Sequence, residues 1–199
     1  GLGALRKTKR IGLLELFKEA GIDKSNIGVY EIGHIIAPRL NATGRLDYAM
    51  DSLRLLCTPN KQRAEILAKE IGRTNRERQL LTVNTAQHAI DSVKSKKELK
   101  KLLFVVHESY QQGVIGLVAG KLVEEFYRPA IVISKGKKFS KASARSVKGF
   151  NVIEFIRTAS EFLVDAGGHP MAAGFTVETA KIPMLEKALR NKLGNLLDG

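Results

Sequence analysis

Leu102-Leu103-Phe104-Val105-Val106, the segment Val114 to Phe126, and Ala130-Ile131-Val132-Ile133-Ser134 together decide the fold. The first and last are short apolar runs rich in branched side chains, as expected of strands covered on both faces. Between them, apolar residues recur on a helical period. The pattern continues with a third strand over Lys141 to Ser146, a helix over Val152 to Ala159 and, after a glycine turn, a strand over Met171 to Val177. Pro183 to Leu197 reads as a closing helix, its proline in the first turn where no N–H is needed. This alternation predicts an α/β domain over residues 101–199, a mixed sheet covered by helices.

Upstream the pattern is helical. Ile11, Leu13, Leu14, Leu16 and Phe17 share a helical spacing within Arg10 to Ala20, and Gly21 supplies a stop. Ile27 to Ile36 reads as a short extended piece leading to Pro38, and Asp47 to Leu56 as a second helix ending before Pro59. From Lys61 to about Val93 one long helix is predicted, apolar on a narrow stripe and polar elsewhere, as suits a connector. The chain therefore divides into a helical amino-terminal segment, 1–58, a connector helix, 59–100, and the α/β domain.

Lys and Arg number 33 against 20 acidic residues, giving a formal charge of +13 and a pI near 9.9. Charge of this size points to a polyanionic partner. No apolar run approaches the roughly 20 residues that span a bilayer. Gly1 to Leu5 runs into a basic cluster with no apolar signal stretch, and the single cysteine, Cys57, excludes an internal disulfide. A reducing cytoplasm is the expected setting.

Familiar catalytic signatures fall short. Gly116-Leu117-Val118-Ala119-Gly120-Lys121-Leu122 has three residues between its glycines where a phosphate loop has four, and Leu122 where a hydroxyl would hold Mg²⁺. His107-Glu108-Ser109-Tyr110-Gln111 lacks the second histidine of a zinc-protease helix. Four histidines, at 34, 88, 107 and 169, are all distant in sequence, so no self-contained metal cluster is expected.

Three stretches suit phosphate. In Ala166-Gly167-Gly168-His169-Pro170, adjacent glycines can present N–H groups as an anion nest and His169 can donate to a phosphoryl oxygen. Lys135, Lys137, Lys138, Lys141, Arg145 and Lys148 form a basic run without an acidic residue among them. Within it Ser143 and Arg145 alternate along a predicted strand and share a face, where a planar fork and a hydroxyl suit a terminal phosphate. Pro38 to Leu46 is expected to be a loop carrying Arg39, Asn41 and Arg45.

Taken in order, five stretches resemble motifs of the RecJ family of DHH phosphoesterases. Pro38 to Arg45 is similar to its P-R-x-N-A-x-G-R, and Asn75-Arg76-Glu77-Arg78-Gln79 to its N-x-x-R-Q. Gly113 to Ala119 resembles G-V-I-G-I-V-A, Ser143 to Ser146 the S-x-R-S strand, and Gly167-Gly168-His169 the G-G-H motif of the DHH-associated domain. The resemblance covers nearly the whole chain. It implies that residues 1–58 are the tail of a DHH catalytic lobe and 101–199 a DHH-associated substrate-binding domain. It implies a single-stranded-DNA-specific 5′-to-3′ exonuclease of DNA repair and recombination, with Mn²⁺ or Mg²⁺ held by an amino-terminal lobe. Arg45, Ser143 and Arg145 are then expected around the 5′-terminal phosphate, with His169 as the catalytic group facing the scissile phosphate, helped by the Gly167 and Gly168 backbone. Arg39, Asn41 and Lys141 are further expected strand contacts.

Two departures qualify the match. None of the six aspartates, at 23, 47, 51, 91, 165 and 198, precedes a histidine, so no D-H-H is present and the chain alone is expected to be inactive. Tyr110-Gln111-Gln112-Gly113 stands where the family has W-H-x-G, leaving Tyr110 as an aromatic face for a base. An oligonucleotide or cyclic-dinucleotide phosphodiesterase of the same superfamily, and a non-catalytic nucleic-acid-binding module, are alternative readings.

Overall fold

The computed structural model describes residues 1–46 and 49–197, with the side chains of 194–197 left aside. The chain forms two compact units, Gly1–Leu81 and Thr82–Gly199, that divide within one long helix.

The first unit is helical. It comprises α1 (Leu2–Arg6), α2 (Ile11–Glu19), a 3-10 turn Lys24–Asn26, a π-helical stretch Glu31–Ile36, α3 (Ala37–Leu46), α4 (Met50–Cys57) and the first part of α5 (Lys61–Lys94). Leu16, Phe17, Ile27, Ile36, Leu55 and Ile71 make its core. Gly12 lets α2 approach the Leu55 carbonyl more closely than any Cβ would permit.

Two expectations are corrected here. Ile27 to Ile36 is not extended: the Glu31 carboxylate accepts from Gly28 N–H at 2.7 Å and starts a helical turn. The widened turn then delivers Ala37 N–H to Ile32 O, which eases the entry of Pro38, whose ring would crowd the carbonyl four residues back. Nor is Pro38 to Leu46 a loop. Pro38 comes just after the π-helical stretch within continuous helical backbone, and the widened turn is what accommodates it. α3 is also pinned by its neighbour, since Ser52 Oγ donates to Leu40 O at 2.8 Å and meets Thr43 Oγ1 at 3.0 Å. The helix expected from Asp47 begins at Met50 in the described chain. Asp47 and Tyr48 lie outside the described residues.

The second unit is α/β. After α5 come β1 (Leu103–His107), α6 (Gln112–Phe126), β2 (Ala130–Ser134), β3 (Phe139–Arg145), α7 (Val152–Arg157), β4 (Leu163–His169), β5 (Ala172–Glu178) and α8 (Ile182–Leu197). The sheet order is β1-β2-β3-β5-β4, with β1 and β2 parallel and the other pairs antiparallel. It is the mixed sheet expected, with one strand more than anticipated. β4 was concealed by its composition, Leu-Val-Asp-Ala-Gly-Gly-His, which carries little β propensity.

One face is sealed along its whole width. Phe104, Ile131, Ile133, Ala142, Ala144, Phe175 and Val177 pack under Val152, Phe155 and Ile156 of α7 and Leu185 and Leu189 of α8. The other face is sealed only in part. Leu103, Val105, Ala130 and Val132 lie beneath Ile115, Val118 and Leu122 of α6 and Ala86 and Ala89 of α5. Over β3, β5 and β4 that face carries exposed or half-buried Lys141, Ser143, Arg145, Gly174, Asp165, Gly167 and His169.

Candidate nucleic-acid interface

Strand register turns this open half-face into a grid. Arg145, Ala172 and His169 form one row across β3, β5 and β4; Ser143, Gly174 and Gly167 form the next; Lys141, Thr176 and Asp165 form a third. Rows lie about 7 Å apart along the strands, and the outer members of a row about 10 Å apart. The middle row has glycine at two of three positions, and a Cβ on Gly167 would meet nothing within 4 Å. The result is a shallow trough of bare backbone. A guanidinium and an imidazole stand on one side of it, an ammonium and a carboxylate on the other.

Arg145 and Ser143 point to the same side: Arg145 Nη1 donates to Ser143 Oγ at 3.1 Å and to Ala144 O at 2.8 Å. Gly116 of α6 faces them, and a Cβ there would come within 2.9 Å of Arg145 Nη2 and 3.0 Å of Ser143 Oγ. Gly116 lies in the stretch whose spacing falls short of a phosphate loop. At Gly116 the packing is against the phosphate candidates themselves, close to the positive end of a 15-residue helix.

His169 ends β4. Its Nδ1 accepts from Met171 N–H at 3.3 Å, which leaves Nε2 as the nitrogen that carries the proton in the neutral ring. Such a ring offers a donor to an anion without itself being charged. Gly168 adopts φ +153°, and a Cβ would run into Ala172 O and Ala173. Gly167 and Gly168 are therefore ladder residues of an edge strand. The expected turn-type nest is corrected, because the tight reversal begins three residues after Gly167, at Pro170 and Met171.

The basic run is less bare than its sequence implies. Pairing with β5 and β4 brings Lys141 Nζ to Thr176 Oγ1 at 2.5 Å, while Thr176 Oγ1 donates to Asp165 at 2.8 Å and Asp165 Oδ2 lies 3.8 Å from Lys141. An acidic residue distant in sequence thus steadies this lysine.

Tyr110 is a second correction. It is only 3% exposed and packs with Val105, Ile115 and Val132, so its ring is not a platform for a base. His88 of α5 and His107 of β1 cover it. His88 Nδ1 lies 2.8 Å from Tyr110 Oη, and the two imidazoles meet edge-on at 4.8 Å. Burial pushes the Tyr110 phenol above its ordinary value. Histidines 19 residues apart in sequence are neighbours here, a proximity that spacing alone does not reveal. Among the described residues, no group of three or more His, Cys, Asp or Glu is arranged to hold a metal ion.

In the first unit Asn41 and Arg45, four apart on α3, are both exposed and share a helix face. Arg39 does not join them. Its Nε donates to Glu19 at 3.0 Å and its Nη1 to Ile35 O at 3.1 Å, while Arg76 takes the other Glu19 oxygen at 2.7 Å. This network, with Glu19 and Arg39 largely enclosed, is what Arg39 serves. Arg78 of α5 lies near Arg45. Burial first, then the nearby charge of Arg45, holds its guanidinium below the ordinary value, so α5 brings a second cation beside α3. The N-x-x-R-Q stretch contains it.

Residues 99–195 match the DHHA1 domain family. The class is thus a DHHA1-containing protein with a half-open, cationic sheet face. More particularly, the chain is a homologue of the carboxy-terminal part of RecJ proteins. It is 40% identical over 199 residues to the single-stranded-DNA-specific exonuclease RecJ of Bacillus subtilis, covering 99% of this chain and 25% of that protein. It resembles the crystal structure of RecJ in complex with Mg²⁺ from Thermus thermophilus with a TM-score of 0.87 and 28% identity, covering 98% of this chain and 30% of that one. A manganese-bound exonuclease RecJ gives 0.82 and 29%, covering 96% and 47%. The chain spans about a quarter of the length of the B. subtilis relative.

Proposed function

We propose that this chain is the strand-holding portion of a single-stranded-DNA-specific exonuclease, and that it seats the 5′-terminal phosphate on the open half-face of its sheet. The observation that carries the reading is the Ser143–Arg145 pair packed against Gly116 at the positive end of α6. A terminal phosphate has more free oxygens than an internal one, and a guanidinium fork, a hydroxyl and a helix terminus answer that difference. His169, in the same row as Arg145 and two strands away, is the donor for a second phosphoryl oxygen, and Lys141 holds a phosphate further along. In the first unit, Asn41 and Arg45 are strand contacts.

Hydrolysis by the whole protein uses Mn²⁺ or Mg²⁺, as the ions in the two solved RecJ structures suggest. Among the described residues no group of three or more His, Cys, Asp or Glu fits such an ion. What the chain supplies is binding, orientation and hydrogen-bond donation.

Fluorescence anisotropy tests the reading. A 5′-phosphorylated single strand is expected to bind more tightly than its 5′-hydroxyl counterpart. Its log affinity should fall linearly with log salt, by about 0.7 per phosphate contacted. Equal affinities for the two ends, or a salt-independent constant, contradict it.

A further inference from the structure

We infer that Phe139 is a base-stacking residue at the far end of the open half-face, and that a bound strand runs along β3 from Arg145 toward it. This rests on the phosphate-seat reading above and extends it to the interior of the strand.

The β3–β5 register is continuous from Phe139 to Arg145, so Phe139 lies on the same face as Lys141, Ser143 and Arg145. Ser140, Ala142 and Ala144, the intervening residues, all face the sealed side and are buried. Phe139 is 46% exposed and joins none of the hydrophobic clusters, so its ring is available on the open face. Its surroundings are cationic: Lys138 Nζ sits 5.4 Å from the ring centroid, and Lys141 is the next residue on that face. Its cross-strand partner, Glu178, is tied to Lys181 at 2.8 Å, so that carboxylate is balanced.

A ring among lysines suits one chemistry in particular. A nucleobase presents a π-face to the ring while its phosphates meet the ammonium groups, the combination by which single strands are held without regard to sequence. The six-residue separation from Arg145 corresponds to about 20 Å of strand. Phe139 therefore takes a base some nucleotides in from the terminal phosphate, and a dinucleotide seated at Arg145 does not reach it.

Anisotropy on the full chain, with 5′-phosphorylated single strands of two lengths, separates the possibilities. Phe139→Ala is expected to weaken a strand of about 16 nucleotides by about five-fold or more, while leaving a dinucleotide unaffected. Phe139→Trp should restore the affinity and Phe139→Leu should not. In the wild type, 2-aminopurine fluorescence should be quenched at one interior position and recover in Phe139→Ala. Equal affinity of wild type and Phe139→Ala for the longer strand, or rescue by leucine, overturns the stacking role. If Arg145→Ala still impairs both lengths in that case, the phosphate seat stands alone. If Arg145→Ala also has no effect, both readings fail together.

Discussion

Arg145→Ala will erase the preference for a 5′-phosphorylated end. The guanidinium is the strongest anion donor in the Ser143 row and its neighbour, and a charge-assisted hydrogen bond contributes about 1.5–3 kcal/mol. Discrimination between 5′-phosphate and 5′-hydroxyl strands should therefore fall by about ten- to a hundred-fold. Arg145→Lys should recover only part of it, because a lysine restores the charge but not the planar fork. The side chain is half-buried beside α6 and donates to Ser143 and Ala144, while β3 itself is held by backbone pairing to β2 and β5, so its removal is expected to leave the sheet intact. Paired anisotropy titrations of the two ends, with the urea midpoint as control, measure the effect. A variant that keeps the end preference at unchanged stability removes Arg145 from the phosphate seat.

Tyr110→Ala will destabilise the second unit by about 3–5 kcal/mol, the loss expected when a fully enclosed aromatic side chain is truncated. The ring fills the space between the end of β1, the start of α6 and the inner face of α5. Its hydroxyl is also the partner of His88. Tyr110→Phe keeps the volume and loses one hydrogen bond, so it should cost about 1 kcal/mol. The contrast with strand binding is the informative part. If Tyr110 belongs to the core, Tyr110→Phe binds single strands as the wild type does. A phenylalanine variant of normal stability but weakened strand affinity would return this residue to the binding surface.

These two residues mark where the sequence was legible and where it was not. β2, Ala130 to Ser134, is legible to the residue because a strand buried on both faces leaves an unbroken apolar run. Ser143 and Arg145 were paired correctly on one face because alternation along a strand is a local property. Tyr110 was misplaced because its burial depends on His88 and α5, brought there by tertiary packing. The same is true of Arg39, which looks like a loop cation until Glu19, 20 residues earlier, is seen beside it. Pro38, Asn41 and Gly44 each disfavour helix, yet α3 forms because the π-helical turn before it accommodates the proline and Ser52 locks the Leu40 carbonyl. β4 is hard to read because an edge strand with one open side needs few apolar residues, and Gly168 serves a close approach to β5.

The grid of three rows also explains why the ordered motifs lie so far apart in sequence. The glycine and histidine of β4, the serine and arginine of β3 and the glycine of α6 are set side by side only once β5 inserts between β3 and β4. The chemistry belongs to the sheet, and no single segment holds it.

The most direct measurement is a backbone amide NMR titration of the chain with a 5′-phosphorylated single-stranded oligonucleotide. Shifts should concentrate at Gly116, Lys141, Ser143, Arg145, Gly167, His169 and Gly174, with α7 and α8 on the opposite side silent. Perturbations gathered on α7 and α8, with the β3, β5 and β4 face unmoved, would show that the strand is held elsewhere.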